Sequence, residues 1–348
     1  MKRLVLCCDG TWNRADQEID DVPCPTNVVR LALRVAKRDG ATAQVIYYDQ
    51  GVGTGNVVDR LSGGAFGEGL EENIHDAYRF LVADYEPGDE IFLFGFSRGA
   101  FTVRSLAGMI RKCGILRRES VHHYRAAVQL YRDANRPDTP VPMEFREKHS
   151  LSGPDPIDIR FLGVWDTVGA LGIPLRGLRW LTRREHQFHD TELSKSVRFA
   201  YHALAIDERR APFQPTLWTY KPKPGQAVEQ VWFCGAHSDV GGGYRERGLS
   251  DLALEWIVAK ASAVGLALDS GALNAYPLSP NCMDKVHNSR RGFYRLAPGT
   301  ERTIGLAGET QDPTQCLHQS VRDRWDRDPD YRLASLRPYF RMTGDARG

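Results

Sequence analysis

The sequence predicts an α/β fold: a doubly wound, mostly parallel sheet with helical cap insertions, organised as one domain over residues 1–348. Three observations point there. Short apolar runs rich in β-branched and aromatic residues recur along the chain, helical patterns lie between them, and one run ends in Gly95-Phe96-Ser97-Arg98-Gly99 just before such a helix.

The strand candidates are residues 4–8 (LVLCC), 44–48 (QVIYY), 90–95 (EIFLFG), 157–164 (IDIRFLGV) and 228–234 (VEQVWFC). Several are apolar at successive positions, as parallel strands covered on both faces require. The helix candidates are 27–37, capped by Thr26 or Asn27, then 68–83 with acidic residues in its first turn, and 98–112 with basic residues in its last. Two intervals exceed a minimal alternation, 117–150 and 171–200, and both are expected to be insertions capping a site. The tail after Arg337 is expected to be weakly anchored.

Composition narrows the function. With 42% hydrophobic and 26% charged residues the chain is globular, and 46 basic against 44 acidic side chains leave a net charge of +2. That balance excludes steering by a polyanion, so no nucleic-acid partner is expected. Seven cysteines lack the spacing of a zinc site or a disulfide scaffold, which points to reduced thiols and a cytoplasmic protein. The amino-terminal apolar run spans about five residues, fewer than the roughly 7–15 of an export signal. No segment has the length of a transmembrane helix, and secretion without a signal stays open.

Gly-x-Ser-x-Gly between a strand and a helix is the pattern of a nucleophile elbow. The chain turns so sharply there that the serine is strained, and flanking glycines avoid clashes. Ser97 is therefore the candidate nucleophile. A hydroxyl attacks only when a base takes its proton and a third group orients the base. Asp166 follows the run FLGVW as its first charged residue, and His237 follows VWFCGA. The order Ser97, Asp166, His237 matches the Ser, Asp, His order of α/β-hydrolases. Asp207 and Asp239 remain alternative acids, and His318 an alternative base. The oxyanion donors expected are the backbone of Arg98, at the next helix's start, and of Gly10 or Thr11 after the first strand. Asp9 fits there as a turn former or a ligand.

Competing signals are weaker. Gly51, Gly53 and Gly55 invite a nucleotide or phosphate reading, but they alternate rather than forming the dinucleotide fingerprint, and no Gly-Lys-Ser/Thr triplet occurs. His122, His123, His186, His189 and His202 match no metal-ligand spacing and read as surface histidines, so no metal and no cofactor is expected. Residues 175–184 alternate leucine and tryptophan with arginine, compatible with a cap helix or a transient membrane contact.

Together LCCDGTWN, GFSRGAFTVRSLAGMI, FLGVWDTVG, HALAIDERRAPFQPTLW, GAHSDVGGGY and HQSVRDRW resemble the α/β-hydrolase-like family that includes the catalytic domain of type VI secretion phospholipase effectors. The resemblance runs to about residue 325. It implies a serine hydrolase that cleaves carboxylic esters, phospholipids among them, with Ser97 as nucleophile. A nucleotide- or phosphate-binding module using Gly51 to Gly55 and a catalytically silent interaction protein on the same fold are the remaining alternatives.

Overall fold

The structure, a computed structural model, describes residues 1–10, 13–51, 63–169, 193–219, 221, 223–275, 277–291, 294–295, 298–307 and 310–347, the side chains of 63–68 and 307 aside. Eight strands make one sheet: β1 (Lys2–Cys8), β2 (Arg38–Asp39), β3 (Thr42–Asp49), β4 (Glu90–Phe96), β5 (Ile159–Trp165), β6 (Val197–Ala205), β7 (Ala227–Phe233) and β8 (Gln315–Leu317). Their order is β8-β7-β6-β5-β4-β1-β3-β2. All neighbours are parallel except β2 and β3, a hairpin at one edge. This is the α/β-hydrolase-like class expected.

The chain leaves β1 toward β3, then crosses back to lay β4 on the other side of β1. Order reverses there, and such a switch point opens a crevice beyond the carboxyl ends of the strands. Register levels those ends: Cys8 pairs with Gly95, and Phe96 with Trp165. Ser97 and Asp166, the next residues, emerge side by side.

Both faces are covered, which explains the unbroken apolar runs. On one face Leu4, Leu6, Leu93 and Val164 pack under helices; on the other lie Val5, Phe92, Phe94 and Trp165. In chain order the principal helices are α1 (Asn27–Ala32), α2 (Gly63–Asp84), α3 (Arg98–Cys113), α4 (Tyr124–Arg132), α5 (Pro140–His149), α6 (His237–Gly241), α7 (Gly248–Ala263), α8 (Gln319–Arg327) and α9 (Leu336–Thr343). α2, α3 and α4 cover the first face, α1 and α7 the second. Each fully buried leucine or phenylalanine contributes about 1.5–3 kcal/mol, so the two-sided core dominates stability.

Four expectations differ from the structure. α1 stops at Ala32, because the chain tightens after it and Arg34 N–H donates to Leu31 O at 2.8 Å. β6 falls partly inside the interval assigned to an insertion; Arg198 and His202 interrupt its apolar run, yet His202 is wholly buried on a strand rather than at the surface. The 117–150 interval packs on the last turn of α3, where Lys112 pairs with Asp133 at 2.7 Å, Arg111 pairs with Asp138, and Arg146 donates to Lys112 O at 3.1 Å. That turn lies on the order of 20 Å along the helix from Ser97, so these helices brace the far end of α3. Residues 170–192 of the other insertion lie outside the described residues. The tail is anchored: Leu336, Tyr339 and Phe340 are buried in a cluster with Trp232 and Trp325, and Arg347 pairs with Asp326 at 2.6 Å.

Candidate active site

Ser97 stands between β4 and α3 with φ 57° and ψ −118°, a conformation that L-residues rarely hold. Its N–H donates to Trp165 O at 3.0 Å, which ties the turn to the neighbouring strand. The flanking glycines are dictated by contact. A Cβ on Gly95 would lie 2.5 Å from Gly99 O, and one on Gly99 would lie 2.1 Å from Cys8 O. The helix backbone therefore presses directly on the end of β1.

Asp166 ends β5, also at positive φ, 37°. Its N–H donates to Ala203 O at 2.7 Å, and its Oδ1 accepts from Ala205 N–H at 3.0 Å. The next residue, Thr167, donates its N–H to His202 Nε2 at 3.1 Å. Burial pushes the His202 imidazole down to about 3, so it stays a neutral acceptor.

His237 opens α6 after the turn that leaves β7. Its Nδ1–H donates to Asp166 Oδ2 at 2.6 Å, and its Nε2 accepts from Ser97 Oγ at 2.8 Å. The rings of Phe96 and Phe213 lie 4.6 Å and 5.0 Å from the imidazole and keep it dry. Burial lowers the affinity of His237 for a second proton, against the opposing pull of Asp166. Burial would also raise the Asp166 carboxyl, but Arg302 and His237 together hold it well below the usual carboxylate range. At neutral pH the arrangement is an ionised acid, a neutral imidazole and a hydroxyl in one hydrogen-bonded chain.

The alternatives have other partners. Asp207 accepts from Gly235 N–H at 2.6 Å and Tyr331 Oη at 2.9 Å. Asp239 caps α6 through Ala236 N–H at 2.9 Å and holds His287 Nδ1 at 2.6 Å. His318 caps α8, bonds Ser320 Oγ at 2.8 Å and stacks on Phe233.

Of the expected oxyanion donors, Arg98 is the first residue of α3, where backbone N–H groups lack intrahelical partners. Gly10 sits against Ser97, since a Cβ there would lie 3.1 Å from Ser97 Cβ. Its N–H donates to Asp9 Oδ1 at 2.7 Å. Asp9 also accepts from Thr26 Oγ1 at 2.6 Å and Tyr48 Oη at 3.1 Å, which makes it the organiser of the turn. Thr11 lies outside the described residues, as do Gly53 and Gly55 of the glycine-rich stretch.

Sequence reasoning assigned no role to three neighbours of the histidine. Glu208 Oε2 accepts from His237 N–H at 3.3 Å and pairs with Arg210 at 2.8 Å. Both belong to AIDERR, so the motif held the signal. Arg302, bonded to both oxygens of Asp166, had none: it stands 136 residues away in an unremarkable polar stretch. Among the described residues no group of three or more His, Cys, Asp or Glu side chains is placed to hold a metal ion, and no helix is long and apolar enough to cross a membrane.

Comparison with known proteins adds the family. The family described as "T6SS, Phospholipase effector Tle1-like, catalytic domain" matches residues 2–260. An uncharacterized protein of Saccharomyces cerevisiae, YEL023C, is 31% identical over 242 residues, covering 64% of this chain and 33% of its own length, so the chain spans about a third of that relative. Among solved structures, an uncharacterized protein from Pseudomonas aeruginosa gives a TM-score of 0.45 at 19% identity, covering 77% of this chain and 46% of that one. A Tle1 effector bound to the VgrG spike of the Type 6 secretion system gives 0.40 at 20% identity, covering 70% and 51%. With a match that runs from the first strand into α7, the chain belongs to the Tle1-like phospholipase effector catalytic domain family.

Proposed function

We propose that this chain is a serine hydrolase of carboxylic esters, with phospholipid acyl esters as its substrate class. The observation that carries the reading is the unbroken chain from Asp166 through His237 to a hydroxyl held at a strained elbow. Family membership supports the lipid substrate.

In this mechanism Ser97 Oγ attacks the ester carbonyl while its proton passes to His237 Nε2. Asp166 stabilises the imidazolium that forms. The tetrahedral oxyanion takes hydrogen bonds from Arg98 N–H and from the turn after β1, where Gly10 N–H exchanges Asp9 Oδ1 for the oxyanion. Collapse breaks the ester C–O bond, and the departing alcohol takes the proton from His237. Water then attacks the acyl-serine and gives a proton to the same imidazole; collapse breaks the acyl C–Oγ bond, His237 returns that proton to Ser97 Oγ, and the carboxylic acid is released.

The test is labelling with a fluorophosphonate. Native protein should be tagged once, at Ser97, and Ser97→Ala should carry no tag. A panel of phospholipids and p-nitrophenyl esters then identifies the preferred acyl group. A folded protein that neither takes the label nor turns over any ester overturns the reading.

A further inference from the structure

The family match ends at residue 260, yet a side chain from beyond it reaches the centre of the site. Arg302 is 2% exposed, and its guanidinium grips the candidate acid with both arms. Nη1 donates to Asp166 Oδ1 at 2.5 Å and Nη2 to Asp166 Oδ2 at 3.0 Å. The same two nitrogens donate to Ala205 O at 2.6 Å and to Phe213 O. With Ala205 N–H and His237 Nδ1 added, both carboxylate oxygens are fully engaged.

We propose that Arg302 is a positioning residue of the catalytic set: it locks the orientation of the Asp166 carboxylate, neutralises its charge, and so governs how strongly His237 holds a proton. The proposal rests on the serine-hydrolase reading. Its physics is that of a forked cation in a dry interior. A lone carboxylate beside an imidazole makes that imidazole more basic, whereas one shared with a guanidinium offers less field. Arg302 also holds Phe213, whose ring packs on His237, so the same side chain fixes acid and base.

Other charges face this centre and remain in the variants. Glu208 lies at the backbone of His237 and is paired with Arg210. Neutral His202 lies behind Asp166 with Arg104 near it, and Arg98 opens α3 beside Ser97. A shift that follows substitution at Arg302 alone is therefore assigned to Arg302.

The experiment measures the pH dependence of the rate of Ser97 labelling by a fluorophosphonate, which needs no knowledge of the substrate. The rate rises with pH as His237 loses its proton. In the native protein the acid limb should fall below about 6.5, the ordinary histidine value. Arg302→Met should move it upward by about one pH unit or more, since the unshared carboxylate now favours the imidazolium. Arg302→Lys, which keeps the charge and loses the fork, should keep the limb within roughly 0.3 unit while slowing the plateau about tenfold. A native limb above pH 7, or equal slowing in both variants with no movement of the limb, overturns the proposal. Where Arg302→Met does not fold, Arg302→Lys decides the matter: a labelling plateau equal to that of the native protein overturns the proposal, because the fork would then have no positioning role. Failure to label the native protein at any pH refutes instead the assignment of Ser97 as nucleophile, so the two failures are distinct.

Discussion

Ser97 and Asp166 end adjacent strands, both at positive φ without being glycine, yet they are held by opposite means. The elbow is local. Gly95 and Gly99, each two residues from Ser97, let backbone approach backbone there, and the distant parts are few: the Cys8-to-Gly10 turn and the Trp165 carbonyl. The acid turn is assembled from a distance. Ala205, His202 and Arg302 are side-chain or backbone partners separated from it by up to 136 residues. Strain at the first is stored in packing, and at the second in hydrogen bonds. A strained turn thus survives when its surroundings over-determine it, whichever currency they use.

The largest effects should fall on the proposed reacting groups. Ser97→Ala and His237→Ala should each lower ester kcat by about 10⁴- to 10⁶-fold, and the double variant by no more than either, because the groups act as one unit. Circular dichroism should show both folded. Asp166→Asn should cost about 10³- to 10⁴-fold, since the amide cannot hold the required tautomer. Additive losses would mean that the two turns act separately.

Breaking the local device should show in stability. Gly99→Ala forces a methyl against Cys8 O, and the urea midpoint should report a loss of roughly 2–3 kcal/mol. A Gly99→Ala protein as stable as the native one would show that the elbow is not tightly packed.

The distant device should show in pH. His202 and His237 bind protons less readily folded than unfolded. The stability they leave intact is full above about pH 6.5 and falls as pH drops below it, where the unfolded chain takes up protons that the fold refuses. For His202, held down to about 3, the loss at pH 5 is on the order of 2 kcal/mol. Asp166 has the opposite arrangement of the same sign: its depressed carboxyl adds stability above about pH 4 that is lost on further acidification. The raised carboxyls of Asp9, at about 6, and Asp49, at about 7, gain stability over the same interval, so the test is the comparison of variants: between pH 7.5 and 5 the urea midpoints should show His202→Gln faring better than the native protein by about 2 kcal/mol. The smallest effect is expected at His318: His318→Ala should leave ester kcat/KM within about threefold, because that ring caps α8 and stacks on Phe233.

Much of the fold was legible because its signals are local. A buried parallel strand needs successive apolar residues, and five such runs mark β1, β3, β4, β5 and β7. β6 escaped because Arg198 and His202 interrupt it, and a buried neutral histidine cannot be told from a surface one by sequence. The bracing helices of 117–150 were legible as helices but not as to place, since tertiary contacts decide which end of α3 they occupy, among them the ion pairs to Arg111 and Lys112 and the Arg146 bond to Lys112 O.

Residue types and their order singled out Ser97, Asp166 and His237, for a strand end followed by glycine, acid or imidazole is a short-range pattern. What no stretch of chain contains is the partner of each polar group once water is gone. Asp207, Asp239 and Asp166 look alike in their motifs, and differ only in what surrounds them: Tyr331, His287, or Arg302 together with His237. Burial makes each carboxylate demand donors, and the packing of distant segments, including the anchored tail region after residue 298, decides which donors arrive.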